Sequence, residues 1–171
     1  DEVAKAVATS GIRASLARGL AGVAPTARTA LAESEALYRD WHGGADGRIT
    51  VMLGPHAPYT CPPEYLREVT ALAAGLGAEI HIHLAETAGE VENCLQKHGK
   101  SPIALMADLG VFEFGTLAAH CVHASPADIE LLKEKKVRVA HNPGSNMKLA
   151  SGVAPVPAML AAGVCVGLGT D

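Results

Sequence analysis

What most constrains this chain is where its histidines and acids fall relative to its apolar runs. Six short apolar runs punctuate the sequence: Ile12–Leu16, Ile49–Leu53, Ile80–Leu84, Thr116–Val122, Val137–Ala140 and Val164–Leu168. Residues able to bind a metal or move a proton collect at the ends of these runs. His56 follows the second, and His81, His83 and Glu86 mark the end of the third. His120 and His123 lie at the end of the fourth, His141 and Asn142 after the fifth, and Asp171 after the sixth. Six of the eight histidines lie at such places, with only His42 and His98 at helix ends, which argues against chance. In parallel α/β folds the C-terminal ends of the strands are where sites are built.

Helix signals fill the spaces between the runs. A helix end is expected at Val3–Ala8, closed by Gly11. Thr29 is expected to cap a helix running to Trp41, stopped by Gly43 and Gly44. Pro62 and Pro63 open a helix that ends near Gly75 and Gly77, since a residue without an N–H is tolerated in the first turn. Thr87 and Glu90 have capping-box spacing for a helix to about His98. Ser101-Pro102 and Ser125-Pro126 start two more, the second running through Lys135. Asn142 to Ser151 reads as a long polar loop, and a last helix begins at Pro155 or Pro157 and stops at Gly163. Alternating strands and helices imply one parallel sheet with right-handed crossovers. The strands are apolar runs rather than strict alternations, as expected where helices cover the sheet. An open doubly wound sheet and a (β/α)8 barrel both fit. No G-x-G-x-x-G follows the first strand and no P-loop is present, so the nucleotide-fold fingerprints are missing.

Composition narrows the partners. The 171 residues are 49% hydrophobic but only 4% aromatic, which suits many close helix–strand contacts. A net charge of −4 argues against nucleic acid or an anionic membrane as the main partner. No apolar run of about 18 residues exists to span a bilayer. The opening DEVAKAVATSG lacks the basic start and apolar centre of a signal peptide. Cys61, Cys94, Cys121 and Cys165 form no C-x-x-C pair, so a four-thiolate zinc site is not expected. They read as free, buried apolar thiols in a reducing cytoplasm.

Each candidate has a structural alternative. His83 alone could be a packed core histidine, but Glu86 three residues on makes a metal-and-acid pair. His81 shares a strand face with His83, because strand side chains repeat every two residues, and is either its partner or simply packed. His123 is ambiguous in the same way, and Asp171 could be a helix cap. His42 and His98 are expected to be solvated near helix C-termini, and Lys133 to Lys136 to be an exposed helix face.

The longer motifs carry a resemblance. His83-Leu84-Ala85-Glu86-Thr87, Ala119-His120-Cys121-Val122-His123, the run from Asn142 to Gly152 (NPGSNMKLASG) and the ending Gly167-Leu168-Gly169-Thr170-Asp171 resemble the amidohydrolase superfamily. With Gly54-Pro55-His56-Ala57-Pro58-Tyr59 they look most like its 5-methylthioadenosine/S-adenosylhomocysteine deaminases, over essentially the whole chain. The resemblance implies an α/β fold of the (β/α)8 TIM-barrel type and a zinc-dependent hydrolase that deaminates adenosine-like nucleosides. It implies that His83 and Asp171 bind the metal and that Glu86, His120 and Asp171 are catalytic. Glu86 would also meet the substrate base, His56 the nucleoside, and Arg18 the substrate's flank, with Arg28 a second candidate arginine.

The family also uses an H-x-H pair on its first barrel strand. His81-Ile82-His83 has that spacing, but Glu86 and the capped helix mark it as a later strand. Residues 1–171 are therefore expected to be part of one barrel domain, roughly strands 3–8, with two further zinc ligands supplied from a first strand that is absent. The last helix and the family's small flanking β domain are expected to be missing too. Such a piece would be inactive alone and would associate with itself through exposed strand edges, as a homo-oligomer. Two alternatives remain: another amidohydrolase, such as a guanine or cytosine deaminase or a triazine-type chlorohydrolase, and a non-catalytic barrel segment acting as an assembly scaffold.

Overall fold

The computed structural model describes all 171 residues. In chain order the elements are α1 (Glu2–Ser10), β1 (Ala14–Leu20), α2 (Ala27–Trp41), the single turn α3 (Gly44–Gly47), β2 (Ile49–Pro55) and α4 (Pro63–Leu76). They continue with β3 (His81–Leu84), α5 (Ala88–His98), α6 (Pro102–Asp108), a 3-10 turn (Val111–Phe114) and β4 (Leu117–His120). The last are α7 (Pro126–Glu134), β5 (Arg138–His141), α8 (Pro143–Lys148), α9 (Val156–Ala162) and β6 (Cys165–Leu168). Ser101 and Ser125 cap α6 and α7 through their hydroxyls, and both hydroxyls bond the buried carboxylate of Asp128.

Every strand pairing is parallel and the strands lie side by side in chain order. The expectation of one continuous sheet needs correction. The ladder divides into β1-β2 and β3-β4-β5-β6, joined by the single bridge Leu53–Ile80. Two flanking bonds, Leu53 N–H to Glu79 O and His83 N–H to His56 O, carry the junction. The strictly sequential order decides between the two architectures left open. An open doubly wound sheet reverses its strand order at a switch point; this one never does, so successive helices follow one another around one face, as in a barrel wall.

Alternation along β3 shows the two faces. Ile80, Ile82 and Leu84 are fully buried under the helices in the main core with Leu66, Val69, Ile103 and Met106. His81 and His83 point to the opposite, inner face. A smaller core of Ala4, Val7, Ile49 and Val51 lies under α1.

Several element boundaries differ from the sequence reading. The first strand is Ala14–Leu20, not Ile12–Leu16: Ile12 is exposed, and the strand follows the full length of β2 in register from Ala14–Ile49 to Leu20–Pro55. The second helix begins at Ala27, with Thr26 rather than Thr29 in the capping position and no side-chain cap bond. The polar stretch after Asn142 is not all loop, since α8 occupies Pro143–Lys148, with Pro143 in its first turn. Of the four cysteines, Cys165 is exposed on β6, so only three are buried as expected.

Candidate metal and acid–base site

At the C-terminal ends of β3 and β4 the backbone turns sharply. Ala85, His120, Cys121 and Asp171 are four of the eight non-glycine residues with positive φ in the chain. Left-handed backbone at such residues is unfavourable and persists only where the surroundings impose it, often at functional sites. Here it aims the last side chains of the strands at one point.

Around that point stand His83, His120 and Asp171, whose ligand-type atoms all lie within 4.8 Å of one another. His120 Nε2 is 3.7 Å from Asp171 Oδ2 and 3.8 Å from Glu86 Oε2. The donors on both histidine rings are committed elsewhere. His83 Nδ1 is 2.6 Å from the backbone carbonyl of His56, and His120 Nδ1 is 2.9 Å from Asn146 Oδ1. Each Nδ1–H donating to an oxygen leaves Nε2 as a lone pair, the tautomer a metal or a proton acceptor requires. Two imidazole nitrogens and a carboxylate, oriented from behind and only slightly wider apart than a common ion would draw them, fit a divalent cation with ligand bonds of about 2.0–2.2 Å.

Asp171 Oδ2 accepts from the Ser145 hydroxyl at 2.6 Å. That bond holds its carboxyl below the usual carboxylate range against the opposing effect of partial burial, with help from the His120 and His83 rings. Gly169 lets the chain reach this position, since a Cβ there would overlap Asn142 Oδ1. Glu86 Oε1 accepts from the Ser151 hydroxyl at 3.2 Å, and its side chain is 16% exposed. His56 borders the group. Its ring lies 5.0 Å from that of His83 and edge-on to Tyr59 at 5.6 Å, and its Nδ1 is 2.8 Å from Thr60 Oγ1. Burial and the neighbouring His83 lower its pKa. His81 stacks on His83 along β3, and burial, then His83 and His120, lower its pKa too, so it stays neutral near pH 7.

The structure thus brings His56, His83, Glu86, His120 and Asp171 together. It sends the two arginines elsewhere. Arg18 lies within β1 on the helix-facing side, where Nε bonds Glu33 of α2 at 2.9 Å and Nη1 bonds Gly19 O at 2.8 Å. Arg28 is exposed on α2, on the side near Glu35 and Glu68. His42 is exposed, as expected, and also stacks on Tyr38 and accepts from the Val51 N–H at 3.1 Å. The residues that sequence reasoning did not single out are Asn146, Ser145 and Ser151. All three lie in the stretch read as loop, and only its unusual length as a motif marked it.

The model of the amidohydrolase family matches residues 1–171. The chain belongs to the amidohydrolase family. It is 58% identical to a 5-methylthioadenosine/S-adenosylhomocysteine deaminase of Pelotomaculum thermopropionicum, over all of this chain and 40% of that protein. It is 60% identical to one from Desulforudis audaxviator, with the same coverage. The chain therefore spans about two fifths of the length of these relatives. Among solved structures, a zinc-bound adenosine deaminase from Xanthomonas campestris superposes with a TM-score of 0.91 and 32% identity, over 98% of this chain and 39% of that one. A guanine deaminase from C. acetobutylicum with bound guanine gives a TM-score of 0.91 at 26% identity, over 99% of this chain and 42% of that one. The fold is that of part of an amidohydrolase TIM barrel, and His83, His120 and Asp171 form a group able to hold a divalent metal. No helix is long and apolar enough to cross a membrane.

Proposed function

We propose that this chain carries much of the active site of a zinc-dependent deaminase that hydrolyses adenosine-like nucleosides, 5-methylthioadenosine and S-adenosylhomocysteine among them, with release of ammonia. The observation that carries the reading is the convergence of Glu86 and Asp171 on the free Nε2 of His120, beside His83. The names of relatives 54–60% identical along the chain support the nucleoside class.

Replacing a purine 6-amino group by oxygen needs a nucleophile at C6, a proton on N1 and a proton on the leaving nitrogen. Zinc held by His83 and Asp171, with further ligands from outside this chain, would supply the nucleophile by lowering the pKa of water from 15.7 to about 7. Protonated Glu86 gives its proton to N1 as the oxygen attacks C6. His120 takes the proton from the attacking water at Nε2, since its Nδ1–H is tied to Asn146. Asp171 holds that water in line. His120 passes that proton to the 6-amino nitrogen, the C6–N bond breaks and ammonia leaves; the proton remaining on the new C6 oxygen returns to Glu86, which restores the acid and leaves a 6-oxopurine. His56, at the rim, contacts the nucleoside. The four unpaired cysteines support a reducing cytoplasmic setting.

The test is ammonia release by a full-length protein carrying this chain, with methylthioadenosine, S-adenosylhomocysteine, adenosine and guanine, alongside metal analysis. Deamination of the nucleosides, reduced about 10²–10⁴-fold by Glu86→Gln, is expected. Turnover of guanine alone would assign a base deaminase instead, and no turnover with stoichiometric metal would favour a scaffold.

A further inference from the structure

Ser151 connects the loop after α8 to the acid of the site. Its hydroxyl donates to Glu86 Oε1 at 3.2 Å, while Glu86 Oε2, the other oxygen, faces His120 Nε2 at 3.8 Å. Ser151 is itself buried, and its place is fixed from two further directions. Its N–H bonds Asn146 O at 2.8 Å, and its carbonyl accepts from His123 Nε2 at 2.7 Å. The next residue, Gly152, has φ +125° and lies against Val122 and the His123 ring, with a would-be Cβ only 3.0 Å from Val122 Cγ1. The loop is thus seated on the end of β4 through a residue that only glycine fills well. On the other side, Glu90 holds the Glu86 backbone: its two oxygens accept from Ala85 N–H at 3.0 Å and Glu86 N–H at 2.8 Å.

A hydroxyl donating to Oε1 ties that oxygen to the loop and leaves Oε2 as the oxygen turned into the site. We propose that Ser151, anchored by His123, is a positioning residue for Glu86: it holds Oε1 and keeps Oε2 facing the substrate base. This rests on the deaminase reading above for the identity of the base, but not for the geometry. It also gives His123 a purpose, since the ring does not reach the metal group but holds the backbone of the residue that orients the acid.

The experiment uses a full-length protein carrying this chain, with Ser151→Ala, Ser151→Thr and His123→Ala variants. Ser151→Ala is expected to lower kcat for methylthioadenosine about 10- to 100-fold with KM and metal content near wild type, because the hydrogen bond that orients the acid is lost rather than a ligand. Ser151→Thr, which keeps the hydroxyl, should recover most of kcat, and His123→Ala should fall between. A crystal structure of Ser151→Ala should show the Glu86 carboxylate rotated away from His120 or spread over several rotamers. That readout stands even if methylthioadenosine is not the substrate, in which case the wild type is inactive and only the function reading fails. A Glu86 side chain unmoved in the Ser151→Ala crystal, or wild-type kcat in an active Ser151→Ala enzyme, overturns the proposal. So would loss of metal in step with activity.

Discussion

Asn146 Oδ1 receives the Nδ1–H of His120 at 2.9 Å in a region where both residues are almost fully buried. This bond fixes the ring's tautomer and leaves Nε2 toward Asp171 and Glu86. Asn146→Ala removes the only acceptor the ring has there. The buried N–H left behind is expected to lower stability by about 1–3 kcal/mol. Activity should fall about 10–100-fold, since partners of this type orient the working nitrogen. Thermal melts and steady-state rates on the same preparation check both; a rate unchanged within twofold would show that the ring is held by packing alone.

The metal group gives a second prediction. His83 and Asp171 converge from β3 and the segment after β6, the two ends of the four-stranded ladder. His83→Ala and Asp171→Asn should each lower zinc affinity by at least about 100-fold, more than a change in an orienting partner causes. Zinc measured after dialysis against a mild chelator reads this directly. The 171-residue chain alone offers two ligands, His83 and Asp171, with His120 beside them, and should bind zinc weakly beside a full-length protein. Equal retention by the variants would remove these residues from the ligand set.

How much of this was legible in the sequence depends on the range of the interaction. The strand runs and most helix starts could be read because capping and apolar periodicity are local. Thr87 and Ser125 cap the helices they were expected to cap, through bonds spanning three residues. The sharing of strand ends by ligand-type residues placed His83, Glu86, His120 and Asp171 at one end of the fold. What failed was set by contacts across the chain. Arg18 sits inside β1 because β2 extends the ladder to Pro55 and Glu33 of α2 receives the guanidinium. Between β2 and β3 only the Leu53–Ile80 bridge remains, and no residue in the sequence marks that break. Asn146 and Ser151 lie 26 and 65 residues from the groups they bond, so no local pattern could give their roles.

The cysteines should differ sharply in reactivity. Cys121 is fully buried, and burial, with the nearby Glu90 and Asp128 charges, pushes its thiol far above the usual range; burial also raises that of Cys94. Cys61 is buried and donates to Leu20 O at 3.2 Å, whereas Cys165 is exposed. The thiolate is the reactive form, so a disulfide reagent should label Cys165 quickly in the folded 171-residue chain and the other three only on unfolding. Mass spectrometry of the labelled peptides identifies the site. Rapid labelling of Cys121 would contradict its placement in the core.

The last prediction concerns Glu90, whose carboxylate is buried at the turn after β3. Burial raises its pKa above the ordinary 4.5, outweighing the backbone N–H bonds from Glu86, Ala85 and Thr87 that pull it down; the Glu86 charge adds to the rise. The sign of the pH effect follows from proton counting. Between 4.5 and the raised folded value, the native state keeps a proton that the unfolded chain has already lost. Stability from this group is therefore fully present below that window, where both states are protonated and it no longer changes with pH, and is lost as pH rises through the window. Glu90→Gln has no such titration, and it offers one acceptor oxygen where two N–H groups need one. The variant should be less stable overall, by about 1–3 kcal/mol for the N–H left without a partner. Its deficit relative to wild type should be largest at the acid side of the window and shrink as pH rises. Melting midpoints of wild type and Glu90→Gln at a series of pH values measure this difference. A deficit that grows with pH would mean that the two N–H bonds outweigh burial and that the folded pKa is depressed rather than raised.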